Sequence, residues 1–271
     1  MKYVLKQFPD KTFTDKMDQA RFIKENVTAL KAIKKEQYKT DSEIVLKEGL
    51  LTGTFAPEIG TISSDIIEVK AIINTTNVID SHMDLHLMGI WNKTVKDNPY
   101  THHLKQHERI FESVLSSKAR NYNERMNFKD IGVNADMEMD ANINHFILSK
   151  SEHPFMFAKY INGEVTQHSV GMMYLDYDIA FYDEDSKKEM DFFNEMKALS
   201  INPEVAEEAG YLWIHREAKK REGSAVVFGS NPITPTLYVK DYEPQSSTYK
   251  QKSEPTIITP EVNKFINPNL Y

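Results

Sequence analysis

Met173, Leu175, Tyr177, Ile179 and Phe181 alternate with Tyr174, Asp176 and Asp178. An apolar side chain at every second position is the period of a strand with one face buried, and a helix cannot present it as a stripe. A second β signal lies at residues 64–79 (SDIIEVKAIINTTNVI), rich in the Ile, Val and Thr that favour a pleated surface, with a polar turn following at Asp80 to Asp84. A third is the apolar run from Ser224 to Phe228, read as a buried strand bounded by Gly223 and Gly229. Asn231-Pro232 and Thr234-Pro235 then mark turns.

Helical signals surround these strands. Ile23, Val27, Leu30 and Ile33 recur at near-helical spacing between Lys and Glu, so residues 16–37 are expected to form an amphipathic helix. Residues 154–163 open with proline and end in Asn-Gly, as a short helix and its C-terminal turn do. Around His107, the residues Leu104, Ile110, Phe111, Val114 and Leu115 suit a helix better than a strand. Residues 182–220 read as helices broken near Asn202-Pro203, with Trp213 and Ile214 returning the chain to the core. Ser169 is expected just before the strand that begins near Met173.

The chain has 271 residues and no cysteine, which excludes disulfides, thiolate metal sites and cysteine nucleophiles. No run of about 18 apolar residues is present and the first dozen residues lack the apolar block of a secretory signal, so a soluble, non-exported protein without a membrane partner is expected. The formal charge of −7 gives no basic excess for general nucleic-acid binding. The charge is uneven: residues 1–50 hold 11 Lys/Arg against 8 Asp/Glu, whereas residues 176–208 hold 11 acidic side chains against 3 basic ones. A solvated face is the ordinary reading of that asymmetry, and an electrostatic docking surface the alternative. Residues beyond Asp241 carry four of the chain's eleven prolines among polar residues, the composition of an extended or mobile tail.

Candidate chemistry gathers in three segments: His102 to Phe111, Thr166 to Tyr174 and Arg221 to Thr234. A serine two positions before a glycine is weak evidence alone, but Gly171 lets a backbone approach closely, and oxyanion stabilisation needs backbone N–H groups near a reacting carbonyl. Histidine both accepts and releases a proton near neutrality, so His107 can activate a serine hydroxyl. The spacings of His103 with His107 and of His82 with His86 also permit a metal reading, without the glutamate of an HExxH motif. Glu222, ahead of an apolar strand, is exposed, hydrogen-bonded or engaged in a task such as orienting a histidine.

In order along the chain, Asp80-Ser-His-Met-Asp84, His107-Glu108, Ser169-Val170-Gly171 and Glu222-Gly-Ser224-Ala-Val226 followed by Asn231-Pro232 resemble the pattern of the prohead maturation proteases of tailed bacteriophages, relatives in fold of herpesvirus assemblin. The resemblance spans roughly residues 64–240. It implies an α+β fold, mainly an antiparallel β-barrel flanked by helices, with a helical N-terminal segment and an extended C-terminal tail. The implied divisions are an N-terminal extension over 1–60, a protease domain over 61–240 with an acidic helical insertion at about 182–209, and a tail over 241–271. It further implies a serine endopeptidase that cleaves capsid or scaffold proteins inside the procapsid in the host cytoplasm, with Ser169 as nucleophile, His107 as general base and Glu222 as third member. No metal or organic cofactor is implied, and self-association is left open. His215 competes with Glu222 for the third role, as in the serine and two-histidine arrangement of assemblins. The rival functions are a non-cleaving capsid assembly protein that retains the protease fold and, behind it, a metal hydrolase.

Overall fold

The long strand over residues 211–226 organises the molecule, because three other strands pair with it. The computed structural model describes residues 3–36, 46, 49–50 and 56–243. Within them the strands are β1 (Tyr3–Leu5), β2 (Phe8–Phe13), β3 (Glu58–Ile59), β4 (Ile66–Thr75), β5 (Asp84–His86), β6 (Tyr100–Lys105), β7 (Val114–Asn127), β8 (Glu138–Ser149), β9 (Gln167–Phe181), β10 (Tyr211–Val226) and β11 (Thr236–Asp241). The helices are α1 (Lys16–Glu36), α2 (Asn92–Asp97), α3 (Pro154–Ile161), α4 (Lys187–Lys197) and α5 (Pro203–Ala209). β1 and β2 form a separate ribbon; the other nine strands form one sheet in the order β3-β11-β4-β8-β7-β6-β10. One edge of β10 is shared by β5 and β6, both parallel to it, and the other is covered along its length by antiparallel β9.

The fold is therefore α+β with a mostly antiparallel, mixed sheet. The expected barrel closure is not found among the described residues: β9 packs near β4, but no ladder joins them. Four local expectations are also corrected. His107 lies on a turn after β6, not on a helix, and Ser169 is the third residue of β9, inside the strand rather than before it. Residues 211–220 are strand, since β10 starts directly after the αL glycine Gly210 that ends α5. For the same reason Gly223 lies within β10 instead of bounding it.

Helix α1 forms as its spacing predicts, and Asp15 and Asp18 bond backbone N–H groups around its first turn. Ile23 and Leu30 are fully buried, sharing one core with Leu5, Phe13, Ile79, Leu85, Ile179 and Trp213. At about 1.5–3 kcal/mol per buried aliphatic side chain, this face holds the helix on the body. The N-terminal segment is thus packed into the core of the larger sheet. Its charges are used as well: Lys31 pairs with Asp178 at 2.9 Å, Lys24 pairs with Asp183, and Lys34 pairs with Asp84. Part of the sequence's charge asymmetry is therefore complementarity within one chain, basic helix against acidic strand and loop. The expected tail from residue 244 onward lies outside the described residues.

Candidate active site

The β9–β10 ladder sets Ser169 opposite Ser224 and Gly171 opposite Glu222. Partners in an antiparallel ladder project to the same side, so Ser169, Ser224 and Glu222 leave the sheet on one face. Val170 and Gly223, the intervening pair, face the interior, where Val170 packs with Ile73 and Trp91. On the other edge of β10, His102 and Leu104 of β6 pair with Glu222 and Ser224 and share the outer face. Gly171 supplies the space that Glu222 fills: a Cβ there would stand 2.8 Å from Glu222 Cδ, closer than carbon atoms approach.

His107 reaches this face from the turn after β6. Gln106 and His107 both adopt the left-handed conformation, with φ of 53° and 58°, which costs a non-glycine residue about 1–2 kcal/mol. Bonds to β10 hold the turn: Gln106 N–H donates to the Ala225 carbonyl at 2.9 Å and His107 N–H to Ser224 Oγ at 3.3 Å. The imidazole is thereby placed over Glu222, with Nδ1 2.7 Å from Oε1. Ser224 Oγ donates to the other carboxylate oxygen, Oε2, at 2.7 Å. Both oxygens of Glu222 are thus engaged, and the bond at Nδ1 leaves Nε2 as the ring nitrogen that can accept a proton.

All three residues singled out by the sequence come to one place. His107 and Glu222 are in direct contact, and Ser169 stands on the same face two residues before Gly171, buried. Among the described residues no hydrogen bond joins Ser169 Oγ to His107; a resting active site often shows such loose geometry. Sequence reasoning placed Ser224 in the Glu222-Gly-Ser224-Ala-Val226 segment but gave it no role; the register that puts it beside Glu222 supplies one. A groove of about 340 Å³ opens next to the pair, lined by Leu104, Ile110, Phe111, Val114, Arg109 and Arg221. Phe111 is 93% exposed, an unusual state for a large apolar side chain beside a candidate site. A larger groove of about 870 Å³ between α1, β9 and α4 is lined by charges most of which are in ion pairs, such as Lys187 with Asp191 at 2.6 Å.

His215 belongs to a different cluster. It is fully buried seven residues up β10, about 20 Å of strand from Glu222, with Nε2 3.0 Å from Asp84 Oδ1 and its ring stacked on Tyr174 at 3.7 Å. Asp84 also pairs with Lys34 and accepts from the Tyr174 hydroxyl at 2.6 Å. Burial and this carboxylate push the Tyr174 hydroxyl well above its ordinary pKa, so it stays a donor. The Asp80–Asp84 turn is a closed structural device, since Asp80 Oδ1 accepts from the N–H groups of His82 at 2.8 Å and Asp84 at 3.0 Å. Asp80, Asp84 and His86 lie close enough to share a metal ion, but their donor atoms are already committed: His86 bonds Asn74 and Tyr174, and Asp84 has Lys34, His215 and Tyr174. That set fits a buried ion-pair network better than a cation site. His103 and His107 do not share a helical face either, because His103 is a buried strand residue stacked on Phe146 at 4.2 Å.

No protein-family model, curated protein or solved structure matches this chain.

Proposed function

We propose that the chain is a serine endopeptidase of the prohead maturation type, with an assemblin-like plan, that cleaves capsid or scaffold proteins inside a phage procapsid. The observation that carries this reading is the 2.7 Å contact between His107 Nδ1 and Glu222 Oε1 on the face that bears Ser169. Glu222 holds the imidazole with its proton on Nδ1, and Nε2 takes the Ser169 proton as Oγ attacks a peptide carbonyl. The imidazolium that forms is stabilised by the carboxylate and then gives its proton to the leaving amine. Water, activated by the same nitrogen, hydrolyses the acyl-enzyme and restores Ser169. Backbone N–H groups near Ser169 to Gly171 or in an adjacent loop would hold the oxyanion. The groove bounded by Ile110 and Phe111 offers an apolar wall for a substrate side chain next to the scissile bond.

Ser169→Ala tests the assignment, since it removes the nucleophile and almost no packing. Cleavage of the cognate capsid or scaffold protein is expected to stop while the far-UV and near-UV circular dichroism stay unchanged. Undiminished processing by the folded variant would remove Ser169 from the mechanism. A chelator is expected to leave cleavage intact and a serine-directed phosphonate to abolish it; the reverse pattern would favour metal chemistry.

A further inference from the structure

Directly behind the candidate site, on the inner face of the same strands, lies a run of buried polar side chains to which no role has been given. His168 precedes Ser169 and projects to the opposite face; Lys220 precedes Glu222 across a bulge in β10; His103 pairs with Gly223. Lys220 is buried, and its Nζ donates to Asn121 Oδ1 at 2.9 Å, Asn142 Oδ1 at 3.0 Å and Asn144 Oδ1 at 2.5 Å. Asn144 Nδ2 then meets His103 Nδ1 at 3.0 Å, His103 Nε2 meets the Tyr160 hydroxyl at 3.3 Å, and that hydroxyl meets His168 Nε2 at 3.3 Å. The series ends where His168 Nδ1 meets the Thr234 carbonyl at 3.1 Å.

The direction of every bond follows from that last one. A carbonyl only accepts, so His168 carries its proton on Nδ1 and its Nε2 must accept from Tyr160. Tyr160, having one proton, must then accept from His103 Nε2–H, which leaves His103 Nδ1 to accept from the Asn144 amide. The Asn144 oxygen is thereby turned to Lys220. Each donor has an acceptor, and the two histidines are held as opposite neutral tautomers. Thr234 closes the end by accepting from the His168 N–H at 3.2 Å and donating to the His168 carbonyl at 2.6 Å.

We propose that the relay Lys220–Asn144–His103–Tyr160–His168–Thr234 is a positioning element that locks the register of β6, β9 and β10, and so fixes Ser169 and Glu222 on one face. A slip of one residue would turn Ser169 into the core, and a slip of two, which keeps the inward and outward pattern that an apolar layer enforces, would still break this series. A directed polar series has one arrangement that satisfies all its members. Burial supports the neutral state of both rings: His103 is held well below the ordinary histidine range and His168 at about 4. The members are positioning residues, and only the statement about Ser169 reactivity rests on the protease reading above.

The test uses the full chain. Nitrogen-15 spectra of histidine-labelled wild-type protein at pH 6.5 are expected to show His103 neutral with its proton on Nε2 and His168 neutral with its proton on Nδ1. A charged ring or the opposite tautomer at either position would overturn the relay, whatever the protein's activity. Tyr160→Phe removes one hydroxyl and keeps the ring. It is expected to speed amide exchange at Ser169 to Gly171 at least tenfold while rungs between β7 and β8 far from the relay keep wild-type rates, and to slow fluorophosphonate labelling of Ser169 about tenfold. Wild-type exchange and labelling in Tyr160→Phe would overturn the positioning role. If wild-type protein resists the phosphonate while the tautomers and exchange behave as stated, the protease reading fails and the registration role stands. Should Tyr160→Phe fold poorly, His168→Asn keeps a donor for the Thr234 carbonyl but not the Tyr160 bond, and is expected to give the same exchange pattern; wild-type exchange there would be equally fatal.

Discussion

A carboxylate has two oxygens to give, and Glu222 gives one to an imidazole N–H and the other to a serine O–H. That division separates the two serines on the same face. The Ser224 proton is already directed at Glu222 and the residue is fully buried, so in the proposed mechanism Ser224 aligns the carboxylate and Ser169 is the serine left to attack. Glu222→Gln keeps the shape but loses the charge that stabilises an imidazolium, and is expected to lower turnover by about 10² to 10⁴ with little change in KM. Ser224→Ala frees one carboxylate oxygen without removing the charge, and a loss of about tenfold is expected in the same steady-state assay. A Ser224→Ala protein as inactive as Ser169→Ala would exchange the roles of the two serines. His215→Gln behaves differently: it should spare the chemistry but lower the urea midpoint, because it unpairs a buried partner of Asp84.

At the scale of elements, α1 is both packed and clamped. Lys34 near its end is 2% exposed and paired with fully buried Asp84, whereas the Lys31–Asp178 pair is more than a third exposed on both sides. Lys34→Met is therefore expected to cost about 3 kcal/mol in urea unfolding, since it strands a buried charge. Lys31→Ala should cost under about 1 kcal/mol. Equal losses from the two would show that the helix is held by its apolar face alone. This helix was legible in the sequence because Ile23 and Leu30 obey its period, and β9 because its alternation is long. The turn that carries His107 was not legible: it uses a left-handed Gln-His pair with no Gly or Asn to announce it, and Ile110 and Phe111, read as a helix face, are exposed walls of a groove. The start of β10 was hidden for another reason. Its His-Arg-Glu-Ala-Lys-Lys-Arg-Glu stretch looks solvated, and only three asparagines on β7 and β8 explain why Lys220 is buried. Local pattern revealed Ser169, His107 and Glu222 as a set only through their order; the register that brings them together is a property of the sheet.

Across the whole molecule, stability is tied to pH through histidines that fold in neutral form. Burial lowers His168 from an ordinary 6.5 to about 4 and takes His103 well below its ordinary value. Between those limits the unfolded chain binds protons that the folded chain refuses, so stability rises with pH there and falls on acidification. The contribution is complete above about pH 6.5 and declines as the pH drops toward 4, where His168 itself protonates in the folded state. From pH 6.5 to 5 His168 alone should remove roughly 1.5 kcal/mol, and His103 acts in the same direction. Most carboxylates remain ionised in both states over this interval, which keeps the histidine signal separate from general acid denaturation. Urea midpoints measured at pH 6.5 and pH 5 are expected to fall steeply for the wild-type chain and less steeply for His168→Asn, which has no proton to gain. The same midpoint shift in both proteins would mean that His168 is charged in the folded state, and the relay behind the serine would then have no fixed direction.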